Sequence, residues 1–200
     1  VDKEDTVRKG YDRIAKEYQA IRKVFDNSKE LHEFANLLPR NAKVLDVGCG
    51  TGIPVSTFLI EAGFDVTGVD FSEGMLAFAR INVPRSKLFK KNMTELDFED
   101  DSFDGLTAIY SIIHVPKEKH LPLFQNFHRM LKPNGMMLIC MGPDEWEEVG
   151  EYLGTEMFWS HYDPEKTLQL VKDAGFGIVS DKLLIRGRER HYWILAKNKK

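Results

Sequence analysis

Lys43-Val44-Leu45-Asp46-Val47-Gly48-Cys49-Gly50-Thr51-Gly52 decides the fold. A short apolar run ends in an acidic residue, and three glycines follow at alternate positions. Pro54, suited to the first turn of a helix, opens the next segment. A buried strand that runs into such a loop and then a helix receives a nucleotide-like ligand at the carboxyl end of a parallel strand.

Outward from this stretch, strands and helices alternate. Strands are predicted over residues 44–47, 65–69, 88–90, 103–109 and 136–141. Helices are predicted over 54–62, 73–81, 120–131 and 164–174, with Ser72 and Asp163 as N-caps and Gly63 and Gly175 as terminators. Alternation at this spacing implies βαβ units and a mostly parallel sheet. Two final strands, 177–184 and 191–196, have a link too short for a parallel crossover, so they must be antiparallel if they pair. Upstream, Val7, Tyr11, Ile14, Ala15, Tyr18 and Ile21 form one helical face. A second helix carries Leu31, Phe34, Ala35 and Leu38 and stops at Pro39. Residues 142–162, rich in aromatics and Glu, read either as a lid or substrate wall or as a helical surface insertion. One domain is expected over residues 1–200, with 1–40 as a helical cap.

The composition is that of an ordinary globular chain, 42% apolar and 30% charged. A net charge of -3 gives no global pull toward nucleic acid or anionic lipid. No apolar run approaches the ~18 residues of a membrane span, and the charged N-terminus does not read as a signal peptide. Cys49 and Cys140 read as small reduced core residues, and the six histidines lack metal-ligand spacing. A cytoplasmic protein without a metal is the expectation.

The loop has a specific chemistry. A dinucleotide fingerprint places its third glycine one position later. Here the spacing is G-x-G-x-G, and Asp46 sets a carboxylate before the loop. That carboxylate repels a pyrophosphate and attracts an ammonium or sulfonium group. Asp70, 18 residues beyond Gly52, is placed to accept both hydroxyls of a ribose. Met75 and Met93 could cover an adenine face, and Asn92 could bond its edge. Tyr110-Ser111-Ile112-Ile113-His114, after the fourth strand, would face the reactive end.

These elements resemble a class I S-adenosylmethionine-dependent methyltransferase. The resemblance runs from about Tyr11 to Leu138. It is carried by the glycine loop, Val66-Thr67-Gly68-Val69-Asp70-Phe71-Ser72, Ser102-Phe103-Asp104 and Leu131-Lys132-Pro133-Asn134-Gly135. It implies a Rossmann-like α/β three-layer sandwich. Its seven-stranded sheet would have the last-formed strand antiparallel and inserted near one edge, with helices on both faces. It also implies that Tyr11 and Tyr18 belong to a helix that closes over the cofactor. The family often carries Asp where this chain has Asn92.

The implied cofactor is S-adenosylmethionine, with S-adenosylhomocysteine as product. The expected cofactor-binding set is Tyr11, Tyr18, Asp46, Gly48, Cys49, Gly50, Gly52, Asp70, Phe71, Met75, Asn92, Met93 and Tyr110. The implied reaction is an in-line displacement in which the protein orients and desolvates the reactants. His114 and His161 are the candidate bases, because imidazole titrates near neutrality. His114 reads equally as a loop histidine bonded to backbone, His161 as lid packing, and His191 as part of a strand face. An Asn/Asp-Pro-Pro-Tyr-like loop is absent after the fourth strand, and Arg186, Arg188 and Arg190 make only a small positive hairpin. A small-molecule acceptor is therefore preferred over RNA or protein. The remaining alternatives are a nucleotide-dependent dehydrogenase and a non-catalytic S-adenosylmethionine-binding regulator.

Overall fold

A computed structural model describes residues 2–22, 26–186 and 189–200. The chain builds α1 (Lys3–Arg22), α2 (Ser28–Ala35), β1 (Lys43–Val47), α3 (Val55–Glu61), β2 (Asp65–Asp70) and α4 (Glu73–Asn82). There follow β3 (Lys87–Lys90), β4 (Phe103–Ile109), α5 (His120–Met130) and β5 (Leu131–Met141). The last elements are β6 (Trp146–Tyr152), β7 (Thr155–His161), α6 (Pro164–Asp173), β8 (Phe176–Arg186) and β9 (Glu189–Asn198).

Seven strands form one sheet in the order β3-β2-β1-β4-β5-β9-β8. The first five run parallel, and β9 inserts between β5 and β8, antiparallel to both. The inserted antiparallel strand is the one that the family resemblance implies. β1 is buried on both faces from Val44 to Val47, as a central parallel strand requires. One face of the sheet packs against Phe124, Phe127 and Met130 of α5 and Leu170 and Val171 of α6. The other packs against Leu31 and Phe34 of α2 and Val55 and Leu59 of α3. Among the described residues, no helix is long and apolar enough to cross a membrane.

Local chemistry sets the boundaries. Ser72 Oγ accepts from Met75 N at 3.1 Å, and Asp163 Oδ1 from Lys166 N at 2.9 Å, so both anticipated caps are made. Pro54 occupies the N-cap of α3 rather than its first turn. β5 starts at Leu131, directly after α5, because Phe103 pairs with Leu131 and Gly105 with Met136. Residues 132–135 loop out between these pairs, with Asn134 at φ 63°.

Of the two readings of residues 142–162, the structure overturns the second. They are no helical insertion: β6 and β7 form an antiparallel hairpin, separate from the main sheet. Leu153 and Gly154 turn the chain with φ of 51° and 76°, the two positive values that a tight hairpin needs. Of the expected positive hairpin, Arg188 and the Arg186 side chain lie outside the described residues. Arg190 Nη1 is exposed, 3.6 Å from Asp144 Oδ2.

Candidate active site

The glycine loop directs its backbone donors inward. Gly48 N and Cys49 N both donate to Val69 O, at 2.8 and 3.0 Å. Gly50 N donates to Asp70 Oδ2 at 2.9 Å, and Gly52 N to Cys49 O at 2.9 Å. A pyrophosphate cradle needs such donors free. This loop therefore does not fit the dehydrogenase alternative. Glycine is required at Gly48: its φ is 70°, and a Cβ would lie 2.4 Å from Ser111 Cβ. At Gly50 (φ 55°) a Cβ would meet only Tyr18 Cε1, at 3.9 Å, so glycine leaves the floor of the cleft open there.

Above this floor lies a cleft of about 630 Å³, part of it open to solvent. Gly48 and Gly50 line it from the loop after β1, and Asp70, Phe71 and Met75 from the end of β2 and the start of α4. Asn92 and Met93 enter after β3, and Tyr110, Ser111 and His114 after β4. α1 crosses the top with Glu4, Val7, Tyr11 and Tyr18. Most of the expected set thus converges on one cavity. Glu4, Val7 and Val115 are additions that the sequence reading passed over.

Asp70 is 9% exposed. Burial pushes its carboxyl up to about 6, although the N–H groups of Ser72 and Gly50 stabilise the anion. Asp46 lies deeper. Its oxygens accept from Ser56 Oγ at 2.5 Å and Thr107 Oγ1 at 2.9 Å, and burial raises its pKa to about 6. Asp46 and Cys49 line not the main cleft but a smaller adjoining cavity shared with Arg22. Gly52 lines neither cavity; a Cβ there would strike Val83 at 2.7 Å.

Arg22 was also missed. Its buried guanidinium lies over the Tyr110 ring at 4.2 Å and the Tyr18 ring at 5.0 Å. The available signal was spacing, since Tyr11, Tyr18 and Arg22 stand seven and four residues apart on one helix. Tyr110 itself has φ 57°, a left-handed conformation costing a non-glycine residue about 1–2 kcal/mol. Tyr110 Oη donates to Asn27 Oδ1 at 3.1 Å, and its ring packs 4.7 Å from that of His191.

The two candidate bases separate. His114 Nδ1 lies 2.6 Å from the Phe158 carbonyl, and its Nε2 lies 2.8 Å from Tyr11 Oη. A carbonyl only accepts, so Nδ1 carries the proton and Nε2 accepts from the Tyr11 hydroxyl. Burial lowers the His114 pKa to about 4 and raises that of Tyr11 well above its usual value. Near neutral pH both groups are uncharged. His161 is absent from the residues lining the cleft. Its ring is packed so closely on Gly142 that a Cβ there would lie 2.0 Å away.

An inward-bonded glycine loop, a buried carboxylate at the next strand end and a helix across the top enclose one cleft at the carboxyl ends of the parallel strands. A family described as "Methyltransferase domain" matches residues 44–135. The "Putative methyltransferase YqeM" of Bacillus subtilis (strain 168) is 37% identical over 169 residues, spanning 77% of this chain and 67% of that protein. The chain belongs to the S-adenosylmethionine-dependent methyltransferases, enzymes that take S-adenosylmethionine as methyl donor. "Phosphoethanolamine N-methyltransferase 1" of Arabidopsis thaliana is 35% identical over 161 residues, 76% of this chain but only 32% of the plant protein. The fold is shared with the 1,6-didemethyltoxoflavin-N1-methyltransferase of Burkholderia thailandensis, solved with its acceptor and S-adenosylhomocysteine. That likeness has a TM-score of 0.71 at 20% identity, over 95% of this chain and 87% of the other.

Proposed function

We propose that the chain methylates a small-molecule acceptor seated beside Tyr11 and His114, under a cover formed by α1 and the β6–β7 hairpin. The hydrogen-bonded series Tyr11–His114–Phe158, opening onto the cofactor cleft, carries this reading. Small-molecule acceptors in the names of the plant relative and the Burkholderia enzyme support the choice of class.

The residues present fit the cofactor. Asp70 is a buried carboxylate at the cleft wall, with lone pairs left over for the ribose hydroxyls. Gly50 leaves room where a side chain would fill the cradle. In the adjoining cavity, Arg22 and Asp46 offer opposite charges suited to the carboxylate and ammonium of an amino acid. When bound, S-adenosylmethionine supplies an electrophilic methyl group on a sulfonium.

Tyr11 and His114 handle the proton. Tyr11 Oη donates to His114 Nε2 and keeps its lone pairs for the acceptor. As the acceptor atom loses its proton to Tyr11 Oη, the tyrosine's own proton passes to His114 Nε2. Tyr11 ends as a neutral phenol and His114 as an imidazolium. Burial makes this imidazolium acidic, with a pKa of about 4, so it releases the proton readily. The cover limits access of water: Val7 and Ile14 of α1 pack on Met157 and Phe158 of β7, and Lys3 Nζ bonds Glu147 Oε1 at 3.0 Å.

A panel of small amines, phenols and thiols, scored by release of S-adenosylhomocysteine, tests the acceptor class. On a turned-over acceptor that is protonated at neutral pH, Tyr11→Phe is expected to lower kcat by about 100-fold, the scale of one proton-transfer group. S-adenosylhomocysteine affinity should stay within about threefold. An unchanged kcat would remove Tyr11 from the chemistry.

A further inference from the structure

The cleft lining includes apolar Val7, Met93 and Val115 and a polar pair from two distant elements. Glu4 comes from the first turn of α1 and Asn92 from the segment after β3. Asn92 Oδ1 accepts from Thr94 N at 3.1 Å, which turns the amide nitrogen toward α1. Asn92 Nδ2 then donates to Glu4 Oε2 at 2.6 Å. From the other side, Lys119 Nζ donates to Glu4 Oε1 at 2.5 Å. The Glu4 side chain is 21% exposed.

The result is a carboxylate held from both sides on the wall of the cleft. A carboxylate accepts about four hydrogen bonds, so Glu4 retains lone pairs, and Asn92 retains one N–H. An acceptor therefore stands beside a donor. The pairing edge of adenine has the matching order, with an exocyclic amine that donates and a ring nitrogen that accepts. The 6-oxo base, hypoxanthine, reverses both.

We infer that Glu4 reads the exocyclic amine of the cofactor's adenine, so that α1 selects the base as well as covering the reactive end. This rests on the cofactor placement proposed above. It also gives Asn92 a reason. An Asp at 92 would set two carboxylates at hydrogen-bond distance with no proton between them, and like charges so close cannot both ionise. An amide there turns a repulsion into a bond and leaves the carboxylate on α1.

Calorimetric titration of the whole chain with S-adenosylhomocysteine and its 6-oxo analogue, S-inosylhomocysteine, tests the inference. Wild type should prefer the adenine form by about tenfold or more, the effect of one mismatched hydrogen-bonding edge. In Glu4→Ala and Glu4→Gln that preference should shrink to about threefold or less, chiefly through weaker binding of the adenine form. Lys119→Ala removes the ion pair but leaves the carboxylate, and it should keep the wild-type preference. Equal weakening of both ligands by the Glu4 variants would mean that Glu4 only docks α1, and it would overturn the inference. Retention of the full preference would overturn it too. If wild type binds neither ligand, or if Asp70→Ala leaves S-adenosylhomocysteine affinity unchanged, the cofactor placement fails and takes the inference with it.

Discussion

Asp70 holds Gly50 N and Ser72 N on separate carboxylate oxygens, so one side chain ties the glycine loop to the start of α4. Asp70→Ala is expected to weaken S-adenosylhomocysteine binding by about 1–3 kcal/mol, the scale of lost hydrogen bonds to a charged group. The ionised form is the better acceptor, and burial sets its pKa at about 6. Wild-type affinity should therefore fall as pH drops below about 6, and the variant should lose that dependence; a flat wild-type profile would count against the assignment. That Asp70, Gly48 and Gly50 line the cleft was legible in the chain because their placement is local: each follows a strand that the hydrophobic pattern already marks. Glu4 and Arg22 were not. Their roles depend on where α1 docks, and only the face shared by Tyr11, Tyr18 and Arg22 hinted at it.

At the scale of elements, α1 is fastened to α4 through Asp12. Asp12 Oδ1 accepts from Ser72 Oγ at 2.7 Å and Gly74 N at 2.9 Å. A Cβ on Gly74 would lie 2.8 Å from Asp12 O and 2.9 Å from its Cα. Glycine to alanine in a helix ordinarily stabilises by about 1 kcal/mol. Here the clash is with backbone, which cannot swing aside. Gly74→Ala should instead push α1 off, costing about 1–3 kcal/mol of overpacking. Amide exchange should quicken along α1, and S-adenosylhomocysteine should bind more weakly. A stabilised protein with unchanged binding would refute this. The strand–helix alternation and the Ser72 and Asp163 caps could be read from sequence, since period and capping chemistry are local. The β6–β7 hairpin could not. Leu153 stands at a φ of 51° where a turn would announce itself with Asn or Gly, and Glu147, Glu148 and Glu151 give β6 a poor strand composition.

Across the whole molecule, buried titratable groups oppose one another. Asp46 and Asp70 rise from 3.8 to about 6, so their contribution to stability is full below 3.8 and is lost as pH rises through 6. His114 and His120 fall from 6.5 to about 4, so theirs is full above 6.5 and is lost as pH falls through 4. Between about 4 and 6 the native state keeps two carboxyl protons that the unfolded chain has lost, and lacks two imidazole protons that the unfolded chain carries. The slopes cancel. Removing one imidazole with His120→Gln should unbalance them. Relative to wild type, the variant's unfolding free energy should fall by about 1.4 kcal/mol per pH unit as pH rises across that window. Parallel urea-derived profiles for the two proteins would contradict this. The inward-bonded glycine loop has its own consequence at this scale. Its shape is settled when the chain folds, before any ligand arrives, so capture of the methyl donor leaves the loop little freedom to lose.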